Sequence, residues 1–82
     1  MPKLPVVSGD KLIKMLKKLG YEMTRQKGSH VRLRLIIEIG EHNITVPRHA
    51  EIAKGTLNDI LSKVSLWNSI SKEDLIDLLR KM

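Results

Sequence analysis

Lys27-Gly28-Ser29-His30-Val31-Arg32-Leu33-Arg34-Leu35-Ile36-Ile37 is the stretch that decides the fold. Lys27-Gly28-Ser29 is turn chemistry. Beyond it Val31, Leu33 and Leu35 alternate with His30, Arg32 and Arg34, the period of a half-buried strand. Upstream, Tyr21 to Gln26 alternates Tyr and Met with Glu, Thr and Gln, which predicts a second half-buried strand. Downstream, Gly40-Glu41 reads as a turn, and His42 to Val46 as a short strand pointing Ile44 and Val46 inward. Pro47 ends it, since proline cannot donate to a central ladder. Three runs joined by short turns predict an antiparallel meander. Helices must cover the face bearing Val31, Leu33, Leu35, Ile44 and Val46. The face bearing His30, Arg32 and Arg34 is left for water or a ligand.

The helices are legible on either side of this meander. Residues 1–7 hold two prolines and read as an extended lead-in. Ser8 is a good N-cap, Asp10 suits the positive end of the helix dipole, and Gly20 suits a left-handed helix end. Between them Leu12, Ile13, Leu16 and Leu19 form an apolar stripe, with Lys11, Lys14 and Lys18 on another face. A first helix over roughly 9–19 follows. After a loop over 47–53, a second helix starts near Lys54-Gly55-Thr56, with Leu57, Ile60, Leu61 and Val64 at helical spacing. Ser65 to Ile70 reads as a connection containing Trp67. Ser71 then caps a third helix whose stripe, Leu75, Leu78, Leu79 and Met82, is expected to pack first on the domain's own sheet or second helix, with direct contact to a partner as the alternative. The order α-β-β-β-α with an added C-terminal helix is that of a double-stranded-RNA-binding-type α+β layer.

Size and composition bound what such a layer can do. At 82 residues the chain holds one domain, over residues 1–82. Leu, Ile and Val supply 26 of them, too many for a disordered segment, so a modest aliphatic core is expected. Tyr21 and Trp67 are the only aromatic rings besides the histidines, which weighs against sheets that stack bases on several aromatics. Trp67 itself reads as a satellite-core or partner contact. With no cysteine, disulfide scaffolds, zinc ribbons, thiol catalysis and iron–sulfur clusters are excluded. No apolar run approaches the roughly 18 residues of a membrane span, and no signal peptide opens the chain, so a cytoplasmic protein is expected.

Charge points to the partner. Residues 1–34 carry nine basic and two acidic groups, whereas residues 35–82 carry six and seven. A basic N-terminal half is a polyanion footprint, with nucleic acid ahead of an anionic membrane. Within that half, His30 has the chemistry for cutting RNA. Attack by the 2′-hydroxyl needs a proton removed there and another delivered to the leaving 5′-oxygen. Imidazole does either near neutrality, because its unperturbed pKa is about 6.5. Gly28 allows close approach of a phosphate, and Ser29 presents a hydroxyl and an amide to it. Lys27, Arg32 and Arg34 add cations that hold phosphate charge. The same residues also suit a surface histidine beside a turn and the solvated face of a strand.

His42 and His49 raise two further questions. His49 is a secondary acid or base if its loop comes near His30, and a hydrogen-bonded loop residue otherwise. As metal ligands the three histidines, spaced 12 and 7 residues apart, match no compact zinc signature, so neither metal nor cofactor is expected. Lys54-Gly55-Thr56 opens a helix, where free amides and a lysine favour a phosphate. Capping by Thr56 is compatible with that.

Taken together, Ser8-Gly9, Leu19-Gly20-Tyr21, Arg25-Gln26-Lys27-Gly28-Ser29-His30, Thr45-Val46-Pro47-Arg48-His49 and Lys54-Gly55-Thr56-Leu57 with Ile60-Leu61 resemble the HicA (YcfA-like) toxins. The resemblance runs in the same order from residue 8 to about 64. It implies a double-stranded-RNA-binding-like fold, mRNA interferase activity and an antitoxin of the HicB family. The histidine of Gly-Ser-His, catalytic in that family, is His30 here. Residues 65–82, with Leu66-Trp67 and a full amphipathic helix, depart from the family pattern. A non-catalytic RNA-binding module using the same basic sheet face is the alternative reading.

Overall fold

The computed structural model describes residues 3–82, so residues 1 and 2 of the expected lead-in lie outside the described residues. The elements are α1 (Gly9–Lys18), β1 (Glu22–Lys27), β2 (His30–Ile37), β3 (Gly40–Pro47), α2 (Lys54–Asn68) and α3 (Lys72–Lys81). The strands form one antiparallel sheet in the order β1-β2-β3. This is the expected α+β architecture, an α-β-β-β-α layer with one more helix.

Alternation along β2 and β3 divides the sheet. Val31, Leu33, Leu35, Ile44 and Val46 enter one core cluster with Leu12, Leu16, Leu57, Leu61 and Leu79 from the helices. The opposite side chains, among them His30, Arg32, Asn43 and Thr45, are exposed. Helix α1 begins as its sequence requires: the Ser8 side chain accepts the Lys11 N–H at 3.1 Å, and Asp10 lies in the first turn. Its buried face holds Met15 as well as Leu12, Ile13 and Leu16.

Four features correct the sequence reading. Strand β1 is not half-buried: all six of its residues are exposed, and the anchoring aromatic Tyr21 is buried just before it. Met23 and Gln26 keep the inward parity, opposite Leu33 and Val31, but α1 leaves this edge strand uncovered, and a shift of pairing register between Met23 and Arg25 puts Thr24 out of step. The second hairpin turns at 38–39, not at Gly40-Glu41, because Ile37 pairs with Gly40 and Ile36 with Glu41. Strand β3 thereby gains full register with β2, and Pro47 ends it opposite His30.

Helix α2 runs through the segment read as a connection, to Asn68. It stops without a glycine, at Ser69 in the left-handed region (φ 54°), whose N–H returns to the Ser65 carbonyl. Its first turn is capped by no side chain, so Thr56 does not act as a cap.

Helix α3 packs into the domain's own core, as expected of its stripe. Ser71 caps it through the Asp74 N–H at 3.1 Å, and Leu75, Ile76 and Leu79 are buried. Ile76, absent from the expected stripe, takes an inward place, while Leu78 and Met82 are only partly buried. The Arg80 guanidinium donates to the Lys3 carbonyl at 2.7 Å, tying the two ends of the chain together. Leu79→Ala should therefore cost about 2–5 kcal/mol of stability, from lost transfer energy and the cavity left behind. Denaturant titration of the variant measures this. Deleting residues 71–82 should leave a chain without a cooperative unfolding transition.

Candidate nucleic-acid interface

Lys27 pairs with His30, so Gly28 and Ser29 form a two-residue hairpin turn. Gly28 has φ +58° while Ser29 is not in the left-handed region, the II′ pattern with glycine first. An added Cβ at Gly28 would meet nothing within 4 Å, so the turn's outer side is open. His30 follows directly, exposed and facing away from the helices.

The loop after β3 is fastened to this turn by backbone groups. The Arg48 N–H donates to the Ser29 carbonyl at 2.6 Å, and the Gly9 N–H to the His49 carbonyl at 2.9 Å. The Ile52 N–H donates to the Val7 carbonyl at 2.8 Å. Gly9 sits so close that a Cβ would lie 2.1 Å from the Pro47 carbonyl oxygen and 2.7 Å from the Arg48 Cα. Only glycine allows that approach. The Arg48 guanidinium adds a bond to the Asp10 carboxylate at 2.7 Å.

Cross-strand register then assembles the charged face. Lys27, His30 and Pro47 form one row, and Arg25, Arg32 and Thr45 the next. Arg25, which the sequence reading passed over, thus stands beside Arg32. The following row joins Glu22, Arg34 and Asn43, and Arg34 pairs with Glu41 at 3.3 Å. The face is accordingly basic at the His30 end and charge-compensated at the Arg34 end. Arg34 is half-engaged already.

The remaining expected residues separate into near and far. His49 is exposed in the loop two residues beyond Pro47, the cross-strand partner of His30, so the fold brings it to the same corner. Lys54 lies at the start of α2, lining a hollow with Pro5, Val6 and Glu51, and no hydrogen bond or ion pair joins it to the His30 row among the described residues. No three His, Asp or Glu residues converge as a metal site among the described residues.

Residues 9–66 match the family model of the HicA toxin of bacterial toxin-antitoxin systems. The chain belongs to the HicA toxin family. Comparison with curated proteins and with solved structures returns no match. The HicA match takes in the whole sheet, the Gly9 contact, the Gly28 turn and the loop carrying Arg48 and His49. It ends inside α2 and leaves α3 outside.

His42 plays no part in that corner. It shares the inward parity of Ile44 and Val46, and at 6% exposure it is the one buried polar or charged residue among those described. Its Nδ1 lies 2.6 Å from the Tyr21 hydroxyl, which accepts the Asn68 amide at 3.2 Å. With the imidazole proton on Nε2, the hydroxyl donates to Nδ1 and all three groups are satisfied. Trp67 stacks on the ring at 5.2 Å between centroids and 3° between planes. Trp67 is thus a satellite-core residue, as its place in the sequence suggested.

Burial lowers the pKa of His42, and the nearby Lys63 charge lowers it further. Burial raises that of Tyr21, against the Asn68 hydrogen bond. A histidine whose pKa falls on folding binds a proton more readily in the unfolded chain. Its contribution is complete above the ordinary value near 6.5 and is lost as pH falls below it. Between about pH 7 and 5.5 stability should drop, by at most about 1.4 kcal/mol per pH unit for this single group. Thermal melts across that range should show the slope, and His42→Gln should flatten it.

Proposed function

We propose that this HicA-family protein is an mRNA interferase. It cleaves RNA by proton transfer at His30, without a metal cofactor, and is held inactive by a HicB-like antitoxin. The observation that carries this reading is the exposed imidazole in a row with Lys27 and beside Arg25 and Arg32, on the sheet face free of helices.

A phosphodiester laid across these rows meets the cations first. Lys27, Arg25 and Arg32 take its charge, while the Ser29 hydroxyl and the open amide side of the Gly28 turn are available to a non-bridging oxygen. His30 then removes the 2′-proton or protonates the 5′-leaving oxygen. His49, exposed in the loop two residues beyond Pro47, is the candidate for the complementary transfer. Arg34 adds to RNA attraction only by leaving Glu41, so its part is smaller than that of Arg32. Lys54 at the start of α2 serves as a more distant phosphate contact.

Cleavage should leave a 2′,3′-cyclic phosphate and a 5′-hydroxyl, because attack by the neighbouring oxygen is an internal transfer. His30→Ala should lower the rate by roughly 10²–10⁴-fold while keeping RNA affinity. Undiminished cleavage would remove His30 from the chemistry. A wild-type protein that binds RNA and never cuts it would instead be a binding module. Chelator sensitivity, or cutting of a DNA copy without 2′-hydroxyls, would contradict the proton-transfer route.

The antitoxin has to cover a basic, weakly aromatic face, so its contacting surface should be acidic. Stopped-flow capture should slow steeply as salt rises, since complementary charge acts mainly on the association rate. A complex in which His30 stays open to solvent would rule out inhibition by direct occlusion.

A further inference from the structure

The shortfall in burial of β1 leaves a cleft of about 340 Å³ between that strand and α1. Its lining joins the apolar side chains of Ile13 and Met23 to the amide of Gln26 and the cations Lys14, Lys17 and Arg48. Asp10, also in the lining, is already matched by Arg48 at 2.7 Å. Neither Lys14 nor Lys17 is ion-paired among the described residues, so the cleft has an uncompensated positive rim. Met23 is 47% exposed, an apolar surface that nothing in the chain covers.

The cleft is built on the hairpin that carries His30. Gln26 pairs with Val31 on the inward side, directly behind the outward pair of Lys27 and His30. Arg48 enters from the loop whose N–H is bonded to the Ser29 carbonyl. An RNA strand with its scissile phosphate at His30 can therefore pass round the exposed edge of β1 and place a neighbouring nucleotide here. The volume lies at the lower end of the range that holds small organic ligands, about 300–1,000 Å³. With no aromatic ring in the lining, a base would rest on the Met23 thioether and the Arg48 guanidinium plane.

We infer that this α1–β1 cleft is a nucleotide-binding subsite that selects the base next to the cleaved bond. The inference rests on the ribonuclease reading above and extends it to specificity. Gln26 presents both a donor and an acceptor, the pairing that reads a base edge. Its Nε2 lies 3.5 Å from the Gly28 carbonyl, which turns the amide toward the catalytic hairpin. Lys14 and Lys17 hold the phosphates that flank the selected nucleotide. Lys17 was outside the helix face expected from sequence. An acidic protein segment would meet the same lysines, and its capture is therefore read separately from RNA binding in the test.

The test uses the His30→Ala protein, so that binding is read without cleavage, and short fluorescein-labelled oligo-A, oligo-C and oligo-U RNAs. Fluorescence anisotropy gives the affinity of each at several salt concentrations. Lys14→Glu combined with Lys17→Glu should weaken all three by on the order of tenfold or more, and should lower the salt slope by about 2. Gln26→Leu should compress the spread between the best and worst RNA by on the order of tenfold, leaving the salt slope unchanged. All three side chains are exposed, so the variants should keep the parent's melting behaviour. If the parent binds RNA and neither variant alters affinity or spread, the subsite is wrong while the RNA reading stands. If the parent binds no RNA at all, both fall. Unchanged RNA binding with weakened capture of the acidic antitoxin would assign the cleft to the protein partner and overturn the inference.

Discussion

Everything at the His30 corner hangs on the contact between Gly9 and the backbone of Pro47 and Arg48. The first residue of α1 lies where a Cβ would stand 2.1 Å from a carbonyl oxygen. That closeness lets residues 7–9 bond to residues 49–52 and holds Arg48 against the Ser29 carbonyl. A helix start, a strand end and a hairpin turn are thereby joined by main-chain hydrogen bonds. Side chains add little rigidity: the Asp10–Arg48 pair is well exposed, and exposed pairs contribute about 0–1 kcal/mol. The arrangement frees the corner's side chains from structural duty. His30, Lys27, Arg25 and Arg32 can all be polar and solvated without weakening what positions them.

The helices therefore have a different task, which is to hold the sheet flat against one core. Among the described residues nineteen buried hydrophobic side chains form that core, drawn from the lead-in, the sheet, the loops before β1 and α2 and all three helices. An 82-residue chain has little surplus burial. Helix α3, beyond the HicA match, supplies Leu75, Ile76 and Leu79 to it. The edge strand β1 is where coverage runs out, and its six residues face solvent rather than core.

The sheet and its exposed basic face were legible because alternation is a local signal that tertiary packing reinforced. Val31, Leu33, Leu35, Ile44 and Val46 turned inward and His30 and Arg32 outward, as their period requires. Three things escaped for physical reasons. The register shift in β1 depends on its partner, not on its own residues. The end of α2 lies at a left-handed serine, which carries none of glycine's signal. Arg25 and Arg48 became site residues only through pairing across strands and through the Gly9 contact. Lys17 became one because the cleft opens on the side of α1 that faces β1. The Gly28 turn, by contrast, was readable outright, since a two-residue hairpin with glycine first has few alternatives.

Histidine shows how far pleat parity decides chemistry. His30 and His42 lie on adjacent strands of one sheet, and the residue type is the same. His30 falls on the parity that faces water, beside arginines that attract a phosphate. His42 falls on the parity that faces helices, where Tyr21, Asn68 and Trp67 occupy its edge and one face. A buried ring that burial and Lys63 keep neutral has no route to a phosphodiester and works as a hydrogen-bonded core residue. One residue of register separates the two fates. A shift of β3 by a single position would expose His42 and bury Asn43 or Glu41 among leucines. The buried Tyr21–His42 bond at 2.6 Å therefore acts as a register lock. By tying β3 to the residue that opens β1, across β2, it supports the register that sets Pro47 opposite His30, and so reaches the His30 corner from the far end of the sheet.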